Sequence, residues 1–308
     1  MKILELSDEL YLVDLPHNRE GFRKFISSWV FRSDGNAFVV DVGTTTSVKK
    51  LIEALEYLKV RRIEYILLTH IHIDHAGGVG EFLKYHPEAK VVVHPSGVKH
   101  LINPEKLWKG TLKVLGDLAL IYGEIKPVPE DNIYSGDLEF QGSEIEIIET
   151  PGHAPHHQSY VFDKYLFAGE AIGVHQYLKI KDYYVRPATP PKFIYDIAVS
   201  SIRTLENLGN LTVCYGHFGY EENCNKMAEN YRNQLDLWVD VVREVACQKD
   251  YSDEKSILEI VRSELFSSDP VFAKYGYLEE DIKKREDYFI DNTLRGILGY
   301  VKETFCPD

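Results

Sequence analysis

The segment LLTHIHIDHAGG at residues 67–78 constrains the fold more than any other part of the chain. It continues IEYI (63–66), so a run with the look of a fully buried strand gives way abruptly to His70, His72, Asp74 and His75. Burying such groups without partners costs several kcal/mol, so the strand must end where they begin. In an extended chain, residues two apart project to the same side. His70 and His72 therefore point together, Asp74 follows if the chain stays extended, and His75 joins them only if the backbone turns. Ala76, Gly77 and Gly78 permit that turn and lead into a helix, VGEFLKY. Four donors on one short segment make a metal site, and imidazole with carboxylate suits zinc, with iron or manganese as alternatives.

Such a site needs further ligands at the ends of other strands, and three segments offer them. His153 follows the apolar stretch IEIIE inside TPGHAPHH (150–157), Glu170 closes YLFAGE, and His217 closes LTVCYGH, flanked by glycines. A histidine beside glycine is common in loops; what marks a site is the recurrence of such residues at strand ends.

The remaining sequence fits a globular α/β protein. Hydrophobic residues make up 44% of 308, enough for a sizeable core. Strands are expected at 9–15, 27–33, 36–43, 63–70 and 90–95, with a hairpin turn at Ser33-Asp34-Gly35 and a helix over 47–58. A second strand-rich half runs from 138 to 217, with two strands joined at Gly142 and a helix at about 191–208. Two strand-rich halves, each closing in helix and strand, predict two packed sheets with helices outside. After Gly219 only helical patterns remain, so residues 1–220 are expected to form the main domain and 221–308 a helical extension packed on it.

The net charge of -13 argues against a nucleic-acid partner, since phosphate neutralisation needs a basic surface. No signal peptide or membrane-spanning stretch is evident, which leads to the expectation of a cytoplasmic protein with no membrane partner. Cys214, Cys224, Cys247 and Cys306 form no CxxC pair and read as isolated thiols, with an intracellular disulfide of the thermophile kind as the alternative.

The His-x-His-x-Asp-His segment, with His153, Glu170 and His217 on later loops, resembles the metallo-beta-lactamase superfamily over about residues 1–220. The resemblance implies an αββα sandwich of two mixed sheets flanked by helices. It implies one metal held by His70, His72 and His153, a second held by Asp74, His75 and His217, and Glu170 between them. Asp41 in VVDVG matches a carboxylate that supports the site. The segments HPSGVKHLINPEKLW, PGHAPHHQSY and PATPPKF look most like an archaeal and bacterial hydrolase-like subgroup related to glyoxalase II, whose members hydrolyse thioesters. One departure stands out: the family's bridging residue is normally aspartate, whereas this chain has Glu170, one methylene longer.

A divalent cation lowers the pKa of its bound water to about 7, giving hydroxide at neutral pH. The expected activity is therefore hydrolysis of a small-molecule ester, thioester or lactone, with two zinc ions as cofactor. Asp74 would orient the hydroxide, and His156 would assist at the oxyanion or leaving group. His157, His175, Tyr177 and Arg186 are candidate substrate contacts, the last three within the aromatic and basic stretch GVHQYLKIKDYYVRPATPP (173–191). His94 and His100 read as structural or surface residues, and Trp238, Tyr288 and Phe289 as core. Two alternatives stand beside this reading: a mononuclear iron enzyme similar to the persulfide dioxygenases, and a non-catalytic metal-binding protein. Homodimerisation is left open.

Overall fold

The computed structural model describes residues 2–247 and 253–306. Strands β1 (Lys2–Glu5), β2 (Leu10–Asp14), β3 (Ser27–Ser33), β4 (Asn36–Val40), β5 (Arg62–Leu67) and β6 (Lys90–Val92) form one sheet in that order. The first four are antiparallel neighbours and the last three run parallel. Parallel neighbours need a crossover. Helix α1 (Val48–Tyr57) supplies one between β4 and β5, and two single-turn helices, α2 (Ile73–Ala76) and α3 (Val79–Phe82), lie in the other. Helices α4 (Pro95–Ile102), α5 (Glu105–Leu115) and α6 (Asp117–Tyr122) follow β6. A small hairpin, β7 (Glu139–Phe140) with β8 (Ser143–Glu144), precedes the second half.

The second sheet contains β9 (Glu146–Glu149), β10 (Gln158–Phe162) and β11 (Tyr165–Gly169), then β14 (Thr212–Tyr215) and β15 (Tyr220–Glu221). Between β11 and β14 come a separate hairpin, β12 (Val174–Tyr177) with β13 (Tyr183–Arg186), and helix α7 (Tyr195–Glu206). Helices α8 (Cys224–Ala246), α9 (Glu254–Ser268) and α10 (Glu280–Phe305) complete the described chain.

Strand alternation assigns each sheet two apolar faces. In β4, Phe38 and Val40 join the aromatic layer between the sheets, with Phe31, Phe162 and Phe167, whereas Ala37 and Val39 face the helices that carry Leu51, Phe82 and Leu118. In β11, Tyr165 and Phe167 face that same central layer, and Leu166 and Ala168 face α7 and the C-terminal helices. The architecture is the expected αββα sandwich. Helices α8, α9 and α10 share one apolar cluster with the outer face of the second sheet: Trp238 and Leu294 belong to it together with Val213 and Tyr215.

Four local features differ from the sequence expectation. The 173–191 stretch is not simply loop, because Val174–Tyr177 and Tyr183–Arg186 pair in register. Residues 95–122 add three helices to the elements expected above. Tyr288 is 47% exposed and is not core, in contrast to Trp238, which is fully buried. Finally, Cys247 and Cys306 are not isolated thiols: a disulfide joins them, with Cα atoms 5.6 Å apart across a separation of 59 residues. Sequence spacing gives no sign of the pair, because the end of α8 meets the end of α10 only in three dimensions. Cys214 and Cys224 are free and buried. Among the described residues no helix is long and apolar enough to cross a membrane.

Closing a loop of this length restricts the unfolded chain by an amount worth roughly 2–4 kcal/mol. Cys306→Ser, or reductant added to the wild type, is expected to lower unfolding free energy by about that much in a denaturant titration. An unchanged midpoint would remove the disulfide from the account of stability.

Candidate metal centre

Loops at the ends of four strands, drawn from both sheets, converge on one point. The first follows β5, which ends at Leu67, so His70 and His72 lie in an extended loop. The backbone then turns earlier than Ala76 to Gly78 would suggest: His72 is extended (φ −62°, ψ 150°) and Ile73–Ala76 is already a helical turn. Asp74 and His75 thus project from a helix, on the same side as the two histidines before it. The loops after β9, β11 and β14 add His153, Glu170 and His217.

The ligand atoms fall into two groups, His70, His72, His153 and Glu170 in one and Asp74, His75 and His217 in the other, each with its donors within 4.8 Å of one another. His72 Nδ1 lies 2.9 Å from both His70 Nε2 and His153 Nε2. Glu170 lies between the groups. Its Oε2 is 2.9 Å from His153 Nε2, 3.5 Å from His70 Nε2 and 3.4 Å from His75 Nε2, and its Oε1 is 3.3 Å from His217 Nε2. Asp74 Oδ2 is 3.9 Å from His75 Nε2 and 4.0 Å from His217 Nε2.

The outer nitrogens determine what these inner nitrogens can be. His153 Nδ1–H donates to the Ala188 carbonyl at 3.0 Å and His217 Nδ1–H to the Phe25 carbonyl at 3.2 Å. A carbonyl only accepts, so both Nε2 atoms are left as lone pairs in the neutral ring. His75 Nδ1–H donates to Asp41 Oδ2 at 2.8 Å. Thr69 gives its own hydroxyl proton to Asp41 Oδ2 at 2.8 Å and accepts from His70 Nδ1–H at 3.0 Å. Lone pairs therefore face one another and face a carboxylate, which repels unless positive charge lies among them. His75 Nε2 is buried without any partner. Burial pushes His70 and His72 well below the usual imidazole range, helped by the neighbouring imidazoles, which keeps their nitrogens free to ligate. At His75 burial acts the same way, but Asp41 and Asp74 outweigh it and draw the pKa well up, so the pocket attracts cations or protons. These donors fit one or two divalent cations of the zinc, iron or manganese type.

Asp41 organises this arrangement. It sits just past β4 with φ 55°, a left-handed conformation that aspartate tolerates better than most residues. It is 2% exposed, and Oδ1 accepts from the Thr69 backbone N–H at 2.9 Å. One carboxylate thus fixes the loop backbone and the orientation of two ligand rings.

A cavity of about 450 Å³ opens above the ligands, with His72, Asp74, His153, Glu170 and His217 on its floor. His156 and His100 are on its wall, as is Phe289, which lines the cavity as well as packing 5.1 Å from the Phe25 ring. His94 instead caps α4, its Nδ1 accepting from Ser96 N–H at 3.2 Å.

Three of the expected substrate contacts are not on the cavity wall. His157 is fully buried; its Nδ1 meets the Thr150 hydroxyl at 2.8 Å and its Nε2 accepts the Glu170 backbone N–H at 3.1 Å. It positions a ligand. Gly169 beside it has φ +56°, and a Cβ there would fall 2.4 Å from His157 Nε2. His175 is buried and tied to Glu221 at 3.0 Å, and the Tyr177 hydroxyl is bonded to the Tyr220 carbonyl at 2.8 Å; both belong to the β12–β13 hairpin, away from the opening. Arg186 does reach the wall, but its Nε is committed to Glu286 at 2.6 Å and its Nη1 to the Pro187 carbonyl at 3.1 Å.

Sequence reasoning missed Tyr122. It lines the cavity, its hydroxyl is buried with no partner, and burial raises its pKa well above the ordinary value, so it remains a neutral donor. Nothing in DLALIYG distinguishes it from an apolar helix end.

The sequence profile of the metallo-beta-lactamase superfamily matches residues 21–217. The chain is 29% identical over 240 residues to a metallo-beta-lactamase fold-containing protein of Sulfurisphaera tokodaii, covering 73% of this chain and 87% of that one. It is 32% identical over 145 residues to a hydroxyacylglutathione hydrolase of Erwinia tasmaniensis, which is 47% of this chain; the chain spans about half of that relative's length, 46%. The crystal structure of a metallo-beta-lactamase family protein from Thermus thermophilus shares the fold, with a TM-score of 0.67 at 20% identity over 97% of this chain and 95% of that one.

Asp41→Asn removes the acceptor that orients His75 and anchors Thr69. Loss of such a supporting carboxylate is expected to weaken metal affinity by roughly 10- to 100-fold, read by competition with a chromophoric chelator. Unchanged affinity would mean that the ligand rings are held by packing alone.

Proposed function

The chain belongs to the metallo-beta-lactamase superfamily, and from that membership we propose that it is a two-cation, zinc-dependent hydrolase of a small carboxylic ester, thioester or lactone. The observation that carries this reading is the position of Glu170, whose carboxylate reaches ring nitrogens of both ligand groups, Oε2 those of His70, His153 and His75 and Oε1 that of His217. The backbone N–H of Glu170 is tethered to His157 just past the end of β11, which fixes where its side chain starts. The similarity to a hydroxyacylglutathione hydrolase supports an acyl substrate.

His70, His72 and His153 would hold one cation, and Asp74, His75 and His217 the other, with Glu170 shared. Cations held there supply an acidified water and a Lewis acid for the carbonyl. Asp74 faces the cavity from a helical turn and would orient the attacking water through its carboxylate. In the reaction the water oxygen bonds to the acyl carbon, the bond from that carbon to sulfur or oxygen breaks, and the leaving atom takes up a proton. His156 lies on the cavity wall; burial and the nearby His153 push its pKa down to about 4, so it is neutral and would donate an N–H to the carbonyl oxygen or leaving group. Tyr122 offers a second uncommitted donor in the same wall. Chemistry of this kind needs no serine or cysteine nucleophile.

The test is metal quantification on protein purified without chelators, followed by an ester, thioester and lactone panel on the wild type and Asp74→Ala. Two equivalents per chain and a loss of at least about 100-fold in turnover for the folded variant are expected. One equivalent, unchanged on adding zinc, would refute the two-cation site. Oxygen uptake with glutathione persulfide by an iron-loaded chain would replace the reading with an oxygenase.

A further inference from the structure

The cavity is walled on one side by α5, and that helix is unusual. None of its eleven residues is buried, although an amphipathic helix normally packs its apolar face into a core. Of the residues it contributes to the cavity, Leu107, Gly110, Thr111, Val114 and Leu115 follow the i, i+3, i+4, i+7, i+8 spacing of a single helical face, and Lys106 lies at its edge. Part of the apolar face of α5 is therefore turned onto the cavity, while Leu107, Trp108 and Leu115 also pack against the core beside the first sheet. Ile71, Ile73 and Phe289 extend the apolar lining from other elements.

Gly110 sits at the centre of this face. Its backbone is helical and a Cβ added there would meet nothing within 4 Å. No close approach or left-handed turn calls for glycine, yet glycine in a helix interior costs about 1 kcal/mol relative to alanine. What its absent side chain leaves is room inside the cavity.

We propose that this space is an acyl-chain site: the substrate carries an unbranched apolar acyl group that leaves the ligand cluster and runs along α5 past Gly110. The proposal rests on the hydrolase reading for the position of the carbonyl. A sugar or nucleotide would need a polar partner every atom or two, whereas α5 presents Leu107, Val114 and Leu115 there, with the Thr111 hydroxyl and Lys106 as its only polar groups. Leu107 to Leu115 covers about 12 Å at a rise of ~1.5 Å per residue, room for an extended chain of up to roughly ten carbons at about 1.2 Å of advance per bond. The volume of about 450 Å³ is in the range of small-molecule sites.

Calorimetric titration of the zinc-loaded protein with octanoate, acetate and phenylacetate tests binding without requiring turnover. Octanoate and acetate share the carboxylate and differ only in the chain. Octanoate is expected to bind at least tenfold more tightly than acetate. Gly110→Leu is expected to bring that ratio close to one. Gly110→Ala, which adds one carbon in open space, is expected to keep it and to show by circular dichroism that a side chain at this position is compatible with folding. Equal affinity for octanoate and acetate in the wild type would overturn the proposal, as would a preference that survives Gly110→Leu. Phenylacetate binding as tightly as octanoate would also overturn it, by assigning a broad apolar pocket. Turnover of p-nitrophenyl acetate, butyrate and octanoate then separates the two readings. Octanoate binding with no ester hydrolysed would sink the hydrolase assignment alone, and hydrolysis indifferent to chain length would sink the acyl site alone.

Discussion

Five imidazoles and two carboxylates can share one pocket only if each neutral ring keeps its proton on the outside. The protein arranges this by giving four of the five outer nitrogens an acceptor: Asp41 for His75, the Thr69 hydroxyl for His70, and the carbonyls of Ala188 and Phe25 for His153 and His217. His72 is turned the other way and offers Nδ1 to the same centre. Because these acceptors lie on backbone or on short, buried side chains, the lone pairs are aimed before any cation arrives. Little reorganisation is then required on binding, and affinity depends on the acceptors as well as on the ligands.

The acceptors draw in parts of the chain far from the ligand loops. Ala188, which orients His153, lies two residues after Arg186, and Arg186 is locked to Glu286 on α10. Glu286 also receives Arg285, whose guanidinium reaches back to the Gly21 and Arg23 carbonyls near the first sheet. A carboxylate between two guanidiniums leaves one positive charge in excess in a buried place, tolerable only because backbone carbonyls and Gln176 take up the remaining donors. Burial opposes ionisation of Glu286, but Arg186 and Arg285 outweigh it and hold its pKa below the ordinary carboxyl value. The helices after residue 224 therefore belong to the physical support of the site.

Much of this was legible in the sequence, for identifiable reasons. The two sheets follow from period-two alternation, which Phe38 and Val39 illustrate by facing opposite layers. The seven ligand candidates were legible because a hydrophobic core has no use for polar residues at the ends of apolar strands, and the structure brings all seven together. What the sequence hid were relations across space. His157 carries the same residue type as a ligand, one residue beyond His156, yet it points inward to the Glu170 backbone because β10 begins there. His175 and Tyr177 look like pocket residues in a loop and become packing residues once β12 and β13 pair. The Cys247–Cys306 bond depends on where two long helices end. Tyr122 becomes informative only when its hydroxyl is seen to lack a partner.

The division of labour between sheets and helices bears on how such a fold acquires a substrate. Every ligand comes from a connection that follows a strand end, Asp74 and His75 from the helical turn α2 within one of them, and the sandwich fixes those strand ends by ladder hydrogen bonds and a dense aromatic layer. Part of the wall facing the substrate comes from α5, none of whose residues is buried, and from Phe289 and Asn292 of α10. Changing Gly110 or Val114 alters the shape of the cavity without touching an acceptor that aims a ligand. Altering Asp41 or Thr69 would disturb the ligands whatever the cavity held. Chemistry and selectivity are therefore carried by different layers of the same molecule, and a new substrate can be accommodated by residues that the hydrolytic centre does not need.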